Sequence, residues 1–107
     1  AVTALGTVDY YEAVEAEDPN VRDYARLYML PGVLHCTGGP GVSQVDWIEA
    51  IRLWVEEGRV PERLMAHKID DGQNIVMTRP VCPYPQVAVY DGEGNSNDAG
   101  SFSCELP

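Results

Sequence analysis

A histidine and a cysteine stand side by side in the most glycine-rich stretch of this chain. Residues 33–42 read Val-Leu-His-Cys-Thr-Gly-Gly-Pro-Gly-Val, and the pair is His35 and Cys36. An imidazole ring exchanges protons near neutral pH, so His35 could act as a general base; a histidine hydrogen-bonded to loop backbone is the alternative. Cys36 could be a nucleophile only if its thiol met that ring, and neighbours in an extended segment point to opposite faces. The sequence therefore predicts that the two residues form no nucleophilic pair.

The cysteine count is odd, because the chain has 3 cysteines. A reduced chain can hold buried thiols, whereas in an oxidising compartment an odd count implies a free thiol or a bond to a cysteine elsewhere. The 8 prolines and 10 glycines predict loops in need of covalent support, which favours the oxidising compartment. A bond from Cys36 to a cysteine outside the chain explains the odd count. Cys82 and Cys104 would then pair with each other and stabilise their segment by roughly 3 kcal/mol.

No pattern in the sequence predicts a metal or a cofactor. The cysteines lack a Cys-x-x-Cys spacing and the 2 histidines are far apart, which disfavours zinc. The acidic segment that starts at Asp91 resembles a calcium loop, but Ser96 and Phe102 stand where the EF-hand needs glycine and glutamate. The chain also has no phosphate-binding loop, no dinucleotide fingerprint and no Gly-x-Ser-x-Gly nucleophile elbow.

Two helices and several short strands are predicted around the glycine-rich loop. Apolar residues near the helical period predict a helix from about Ala4 to Ala16. A short apolar run at 26–30 predicts a buried strand, and a glycine-rich loop after such a strand is where α/β enzymes place their chemistry. After the loop, Ser43 is predicted to cap a second helix that ends at Gly58.

The second helix carries the widest apolar stripe of the chain. Its members are Trp47, Ile48, Ile51, Trp54 and Val55. Such a stripe usually faces a core, so the tryptophans are predicted to be core residues rather than a cofactor site.

The rest of the chain is predicted to hold few regular elements. Strands are predicted at 64–69, at 75–78 and, on an edge, at 86–90, whereas 91–103 is predicted to be a polar loop. These elements are too few to cover the stripe of the second helix. We therefore infer a piece of a larger α/β body.

Charge excludes two classes of partner. Lys and Arg number 7 against 17 Asp and Glu, which gives a formal net charge of −10. Nucleic-acid backbones and anionic membrane surfaces both attract basic faces. No apolar run approaches the roughly 20 residues that span a bilayer. The sequence therefore predicts neither a nucleic-acid nor a membrane partner.

Three motifs together resemble the tannase and feruloyl esterase family. They are the histidine loop at 30–41, the Arg-Pro-Val-Cys-Pro-Tyr-Pro-Gln block at 79–86 and the closing Phe-Ser-Cys at 102–104. The similarity runs from about Gly6 to Cys104. Members of this family are secreted α/β-hydrolases with a large lid domain and a triad in the order Ser, Asp, His.

The resemblance implies a role for each candidate residue. His35 would be the triad histidine, and Cys36 would bond to the cysteine just before the nucleophilic serine, outside this chain. Cys82 and Cys104 would form the family's C-terminal disulfide. The serine and the lid would lie upstream of this chain, as they do in the family. The triad aspartate would also lie upstream, because Asp9 does not match its position.

The sequence as a whole predicts the C-terminal part of an α/β-hydrolase fold, incomplete on its own. Residues 1–78 or so would form the helix, strand, histidine loop and helix, and about 79–107 a disulfide-stapled extension. The predicted function is cleavage of phenolic acid esters by a secreted serine hydrolase, with no cofactor in this chain and the remainder of the hydrolase as partner. The alternative is a small secreted interaction domain without catalysis, held by Cys82–Cys104, that binds a partner through its tryptophan face.

Overall fold

The first helix, α1, spans Ala4–Glu17 and confirms the predicted helix. The structure, a computed structural model, describes residues 3–107. Tyr11 is the buried residue of α1, and its hydroxyl donates a hydrogen bond to the Ala25 carbonyl at 3.0 Å. The helix ends before Pro19, because the residue preceding a proline avoids helical backbone angles.

The buried strand predicted at 26–30 is wrong for the described chain. Residues 26–30 are all half-buried, and the segment makes a single β-bridge, between Tyr28 and Pro83. One further backbone bond runs from the Tyr84 N–H to the Leu27 carbonyl, at 2.8 Å. A strand needs a continuous partner, and the neighbouring segment offers prolines, whose nitrogens carry no hydrogen.

The second helix, α2, spans Trp47–Glu57 and starts later than predicted. Asp46, not Ser43, caps it: its carboxylate accepts the Glu49 N–H at 3.0 Å. Such a bond satisfies one of the free N–H groups at a helix start. The residues just after Ser43 form a short strand instead, β1, at Gln44–Val45. The helix ends at Gly58, as predicted.

A three-stranded antiparallel sheet in the order β1-β2-β3 carries the core. The predicted strand at 64–69 is confirmed as β2, Leu64–Ile69, and its predicted partner is β3, Ile75–Val81. β3 runs further than predicted because it is an edge strand, where Pro80 needs no ladder partner for its nitrogen. Ala66 is fully buried and packs with Val42 and Val81.

The C-terminal hairpin is built from β4, Val87–Tyr90, and β5, Phe102–Glu105. β4 confirms the predicted strand near 86–90, but β5 lies partly inside the predicted polar loop. Cys82 and Cys104 form a disulfide bond that ties β5 to the end of β3. The hairpin therefore has a covalent attachment to the sheet.

The stripe of α2 is not covered within the described chain. Ile48 is 78% exposed and Val55 is 76% exposed, and Trp47 is also exposed. Within the described chain, the prediction that the tryptophans are core residues is therefore wrong for Trp47, and Trp54 is only half-buried. The radius of gyration is 14.7 Å, whereas a closed domain of this length has about 13 Å. The chain is looser than a self-contained domain, as its uncovered apolar helix face suggests.

Between residues 3 and 107, no helix is long and apolar enough to cross a membrane.

Candidate functional site

The histidine loop is closed on itself by two backbone hydrogen bonds, both within residues 32–41. The Gly41 N–H donates to the Gly32 carbonyl at 2.8 Å and joins the two ends of the loop. Inside this ring, the Leu34 N–H donates to the Gly38 carbonyl at 3.0 Å. His35 and Cys36 lie within that inner turn. The loop thus presents both residues at its tip, outside any helix or strand.

Glycine is required where the two arms of the loop meet. A Cβ atom added at Gly39 would collide with the Gly32 carbonyl oxygen, and one added at Gly41 would collide with the Pro31 carbonyl oxygen. Gly39 also has φ +89°, a backbone conformation that L side chains rarely adopt. The glycines therefore let the two arms pack backbone to backbone. This geometry explains the glycines at positions 39 and 41.

His35 and Cys36 meet, contrary to the prediction from alternation. The Cys36 sulfur lies 3.0 Å from Nδ1 of His35. The alternation rule fails because Cys36 is not extended: its φ is +77°, which turns its side chain towards the preceding residue. Both residues are exposed, and Cys36 is a free thiol. In the described part of the chain, this thiol is the hydrogen-bonding partner of the His35 ring, and no carboxylate reaches it.

Lys68 contacts the loop from outside and was not predicted to belong to the site. Its ammonium group donates to the Pro40 carbonyl at 3.2 Å and to the Gly39 carbonyl at 3.4 Å. Lys68 lies on β2, where it pairs with Met77. No local motif signals this role, because the contact joins residues 28 and 29 positions apart.

An apolar cavity of about 420 Å³ lies at the base of the loop. Leu30, Gly41 and Val42 contribute to its wall from the loop side, and Phe102 from the hairpin. The guanidinium of Arg79 lies over the Phe102 ring, 4.3 Å from its centroid. His35 does not line this cavity. The cavity therefore lies between the base of the loop and the hairpin, away from the His35 ring.

Two side chains outside the histidine loop, Asp70 and Tyr28, have pKa values shifted from their ordinary values. Hydrogen bonds from the Asn74 and Gly72 backbone lower the pKa of Asp70, in the turn that follows β2. Burial raises the pKa of Tyr28, which donates its hydroxyl hydrogen to the Pro61 carbonyl. Among residues 3–107, no group of three or more His, Cys, Asp or Glu could hold a metal ion. Of the four residues singled out in advance, His35 and Cys36 lie together in the loop, whereas Cys82 follows β3 directly and is bonded to Cys104 on β5.

The fold matches a segment of known esterases. An esterase from Aspergillus oryzae superposes with a TM-score of 0.87 at 26% identity, over 97% of this chain and 25% of that chain. Feruloyl esterase B from the same organism gives a TM-score of 0.88 at 22% identity, over 97% of this chain and 24% of that chain, and shares the fold. The chain therefore shares the mixed α/β fold of one segment of these esterases.

The sequence comparisons define the family. The profile described as "Tannase and feruloyl esterase" matches residues 1–105, and the chain belongs to this family. A mono(2-hydroxyethyl) terephthalate hydrolase of Piscinibacter sakaiensis is 42% identical over 100% of this chain and 18% of its own length. A probable feruloyl esterase of Arthroderma benhamiae is 38% identical over 92% of this chain and 19% of its own length. The chain thus spans about a fifth of the length of these ester hydrolases.

Proposed function

We propose that this chain is the C-terminal part of a secreted serine ester hydrolase with an α/β-hydrolase fold, and that His35 is its catalytic histidine. The observation that carries this proposal is the histidine loop, which holds an exposed imidazole ring free of any carboxylate in the described chain. A triad histidine needs a serine on one ring nitrogen and a carboxylate on the other. The remaining four-fifths or so of the relatives' length leaves room for both groups.

The proposed reaction passes through an acyl-enzyme. The serine oxygen attacks the ester carbonyl while His35 takes the serine proton. The tetrahedral intermediate then collapses, the ester C–O bond breaks, and His35 gives that proton to the departing alcohol. In the second half, His35 takes a proton from water as the water attacks the acyl carbonyl. The acid leaves when His35 returns the proton to the serine oxygen.

The proposed substrates are esters of aromatic acids, of the galloyl or feruloyl kind. Two named relatives support this class. A feruloyl esterase acts on an ester of a phenolic acid, and mono(2-hydroxyethyl) terephthalate is an ester of an aromatic diacid. The choice among aromatic acids would be made by the lid that the family resemblance implies, outside this chain.

The remainder of the hydrolase is the proposed partner, and the two together are called the assembled hydrolase below. Two features support this proposal. The exposed thiol of Cys36 is free to form a disulfide, and the apolar face of α2 is uncovered within the described chain. In this proposal, about 1–78 belongs to the catalytic body and about 79–107 is the stapled extension. The disulfide between Cys82 and Cys104 supports an oxidising, extracellular or periplasmic location.

The two histidines of the chain provide a matched test. The assembled hydrolase is assayed on methyl ferulate and methyl gallate, with His35→Ala as the variant and His67→Ala as the control. We expect His35→Ala to lower kcat/KM by at least about 1,000-fold, because a triad member acts in both half-reactions. His67 lies on β2 and is expected to be dispensable. Circular dichroism must show that both variants are folded. Full activity in a folded His35→Ala variant would overturn the proposal.

A further inference from the structure

We propose that Lys68 is a positioning residue that holds the histidine loop in its catalytic conformation. The inference rests on the proposed role of His35 and adds to it a side chain that never touches the substrate. Its ammonium group binds two consecutive carbonyls of the loop, those of Gly39 and Pro40.

These two carbonyls lie where the loop has no support of its own. The backbone bonds at Leu34–Gly38 and Gly32–Gly41 hold the inner turn and the two ends. Between them, neither the Gly39 nor the Pro40 carbonyl accepts a hydrogen bond from any backbone N–H of residues 3–107, and Pro40 has no N–H to donate. The glycines around Pro40 offer no side chains for packing. Lys68 therefore fixes the Gly39–Pro40 segment of the loop, which these backbone hydrogen bonds do not hold.

The contact is specific to Lys68. It is the only lysine in the sequence. Across residues 3–107, no other side chain from outside residues 31–43 hydrogen-bonds to the backbone of the histidine loop. The chain has far more acids than bases, yet no carboxylate oxygen within the described chain lies within 4.0 Å of the Lys68 ammonium. Its positive charge is directed at the loop carbonyls instead.

The sheet fixes the position from which Lys68 reaches the loop. Ala66, two residues earlier on β2, is fully buried in the core, and Lys68 itself pairs with Met77 of β3. The register shifts immediately after Lys68, between Lys68 and Ile69. Such irregularities re-aim side chains at functional sites. A rigid strand thus supports the loop through one charge-assisted hydrogen-bonding group, which is stronger than a neutral one.

A positioning role makes a kinetic prediction that a purely stabilising role does not. Small displacements of a catalytic group lower kcat steeply, whereas substrate binding away from that group is unaffected. In the assembled hydrolase, we expect Lys68→Met to lower kcat by about tenfold with KM unchanged. Lys68→Arg retains a cationic donor and should lie closer to wild type than Lys68→Met does. Arg59→Met is the control, because Arg59 is an exposed base that pairs with Glu57 of α2.

The assay uses methyl ferulate or methyl gallate, with each rate divided by the folded fraction at the assay temperature from circular dichroism. If Lys68→Met does not fold, Lys68→Gln replaces it in the same comparison. A kcat for the folded Lys68→Met or Lys68→Gln variant equal to that of Arg59→Met would overturn the inference. So would a rise in KM with kcat unchanged. If His35→Ala is also active, the proposed function itself has failed; if His35→Ala is inactive, only the role of Lys68 has failed.

Discussion

The histidine loop and the C-terminal hairpin both lie outside the small core, and they are held in opposite ways. The loop is held by two backbone bonds, by glycines that allow close backbone packing, and by the Lys68 ammonium. The hairpin is held by the Cys82–Cys104 disulfide and by side chains such as Arg63, which donates to the Ala99 and Phe102 carbonyls. We therefore expect added side-chain volume to disturb the loop, and loss of the Cys82–Cys104 disulfide to destabilise the hairpin.

The two regions are supported by different kinds of bond, and only one of them carries the candidate catalytic histidine. A covalent bond fixes a segment that carries no candidate catalytic group. Weak, directional contacts fix the segment that carries His35. Changes to the hairpin should therefore lower the free energy of unfolding with little effect on kcat, whereas changes inside the loop should lower kcat.

The largest effect is expected from removing the hairpin disulfide. The double change Cys82→Ser and Cys104→Ser should lower the free energy of unfolding of the assembled hydrolase by roughly 3 kcal/mol, the chain-entropy value for a loop of this length. Urea unfolding measures the loss. The kcat of the folded variant should stay near that of wild type, because the hairpin contributes no residue to the histidine loop. A loss of kcat as large as that of Lys68→Met would break the distinction between the two regions.

An intermediate effect is expected from adding one methyl group to the loop. Gly38 and Gly39 have nearly equal φ angles, +88° and +89°, so alanine introduces similar backbone strain at both. They differ in space: a Cβ at Gly38 meets its nearest atom, in Leu34, at 3.9 Å, whereas a Cβ at Gly39 collides with the Gly32 carbonyl oxygen. Gly39→Ala should therefore destabilise the assembled hydrolase by about 2 kcal/mol more than Gly38→Ala, in the range of other overpacking changes.

The kcat values of Gly38→Ala and Gly39→Ala test the same packing in the activity assay. The collision at Gly39 must push the arms of the loop apart, so Gly39→Ala should also have the lower kcat on methyl ferulate or methyl gallate. Equal stability and equal kcat for the two variants would show that close packing of the arms is unimportant.

The smallest effect is expected from Tyr28, which precedes the histidine loop. Its β-bridge to Pro83 links this part of the chain to the segment that leads into the hairpin. Burial raises the pKa of Tyr28 above the ordinary value of 10.0. Folding therefore favours the protonated phenol. Its contribution is complete below pH 10 and is lost as the pH rises from there through the folded-state pKa. Tyr28→Phe should cost about 1 kcal/mol at pH 8 and progressively less above pH 10. Urea unfolding at several pH values measures this; a difference that grows with pH would contradict it.

Regular elements were predictable wherever one period dominated the sequence. The stripe of α2 and the alternation of β2 both gave elements at the expected positions. The predicted cap of α2, Ser43, is wrong and Asp46 caps the helix, because the two residues after Ser43 pair with β2, and only the fold reveals that pairing. The strand expected at 26–30 failed for the same reason, since strand formation depends on partners outside the segment.

The site was predictable in its residues and less so in its geometry. His35 and Cys36 stand out through their glycine-rich surroundings. Their contact depends on the positive φ of Cys36, a conformation that favours glycine and that nothing at this position signals. Lys68 was missed because a contact between a strand and a distant loop leaves no local pattern.

In the proposed function, this chain completes its catalytic site with the remainder of a larger hydrolase. The most direct measurement is peptide mapping by mass spectrometry of the native protein, purified without reductant, with and without reduction of its disulfides. We predict a peptide that joins Cys36 to a cysteine outside residues 1–107, next to a serine, and that reduction separates the two. A native protein in which Cys36 reacts with a thiol reagent as a free thiol, with no further polypeptide attached or bound, would contradict this proposal.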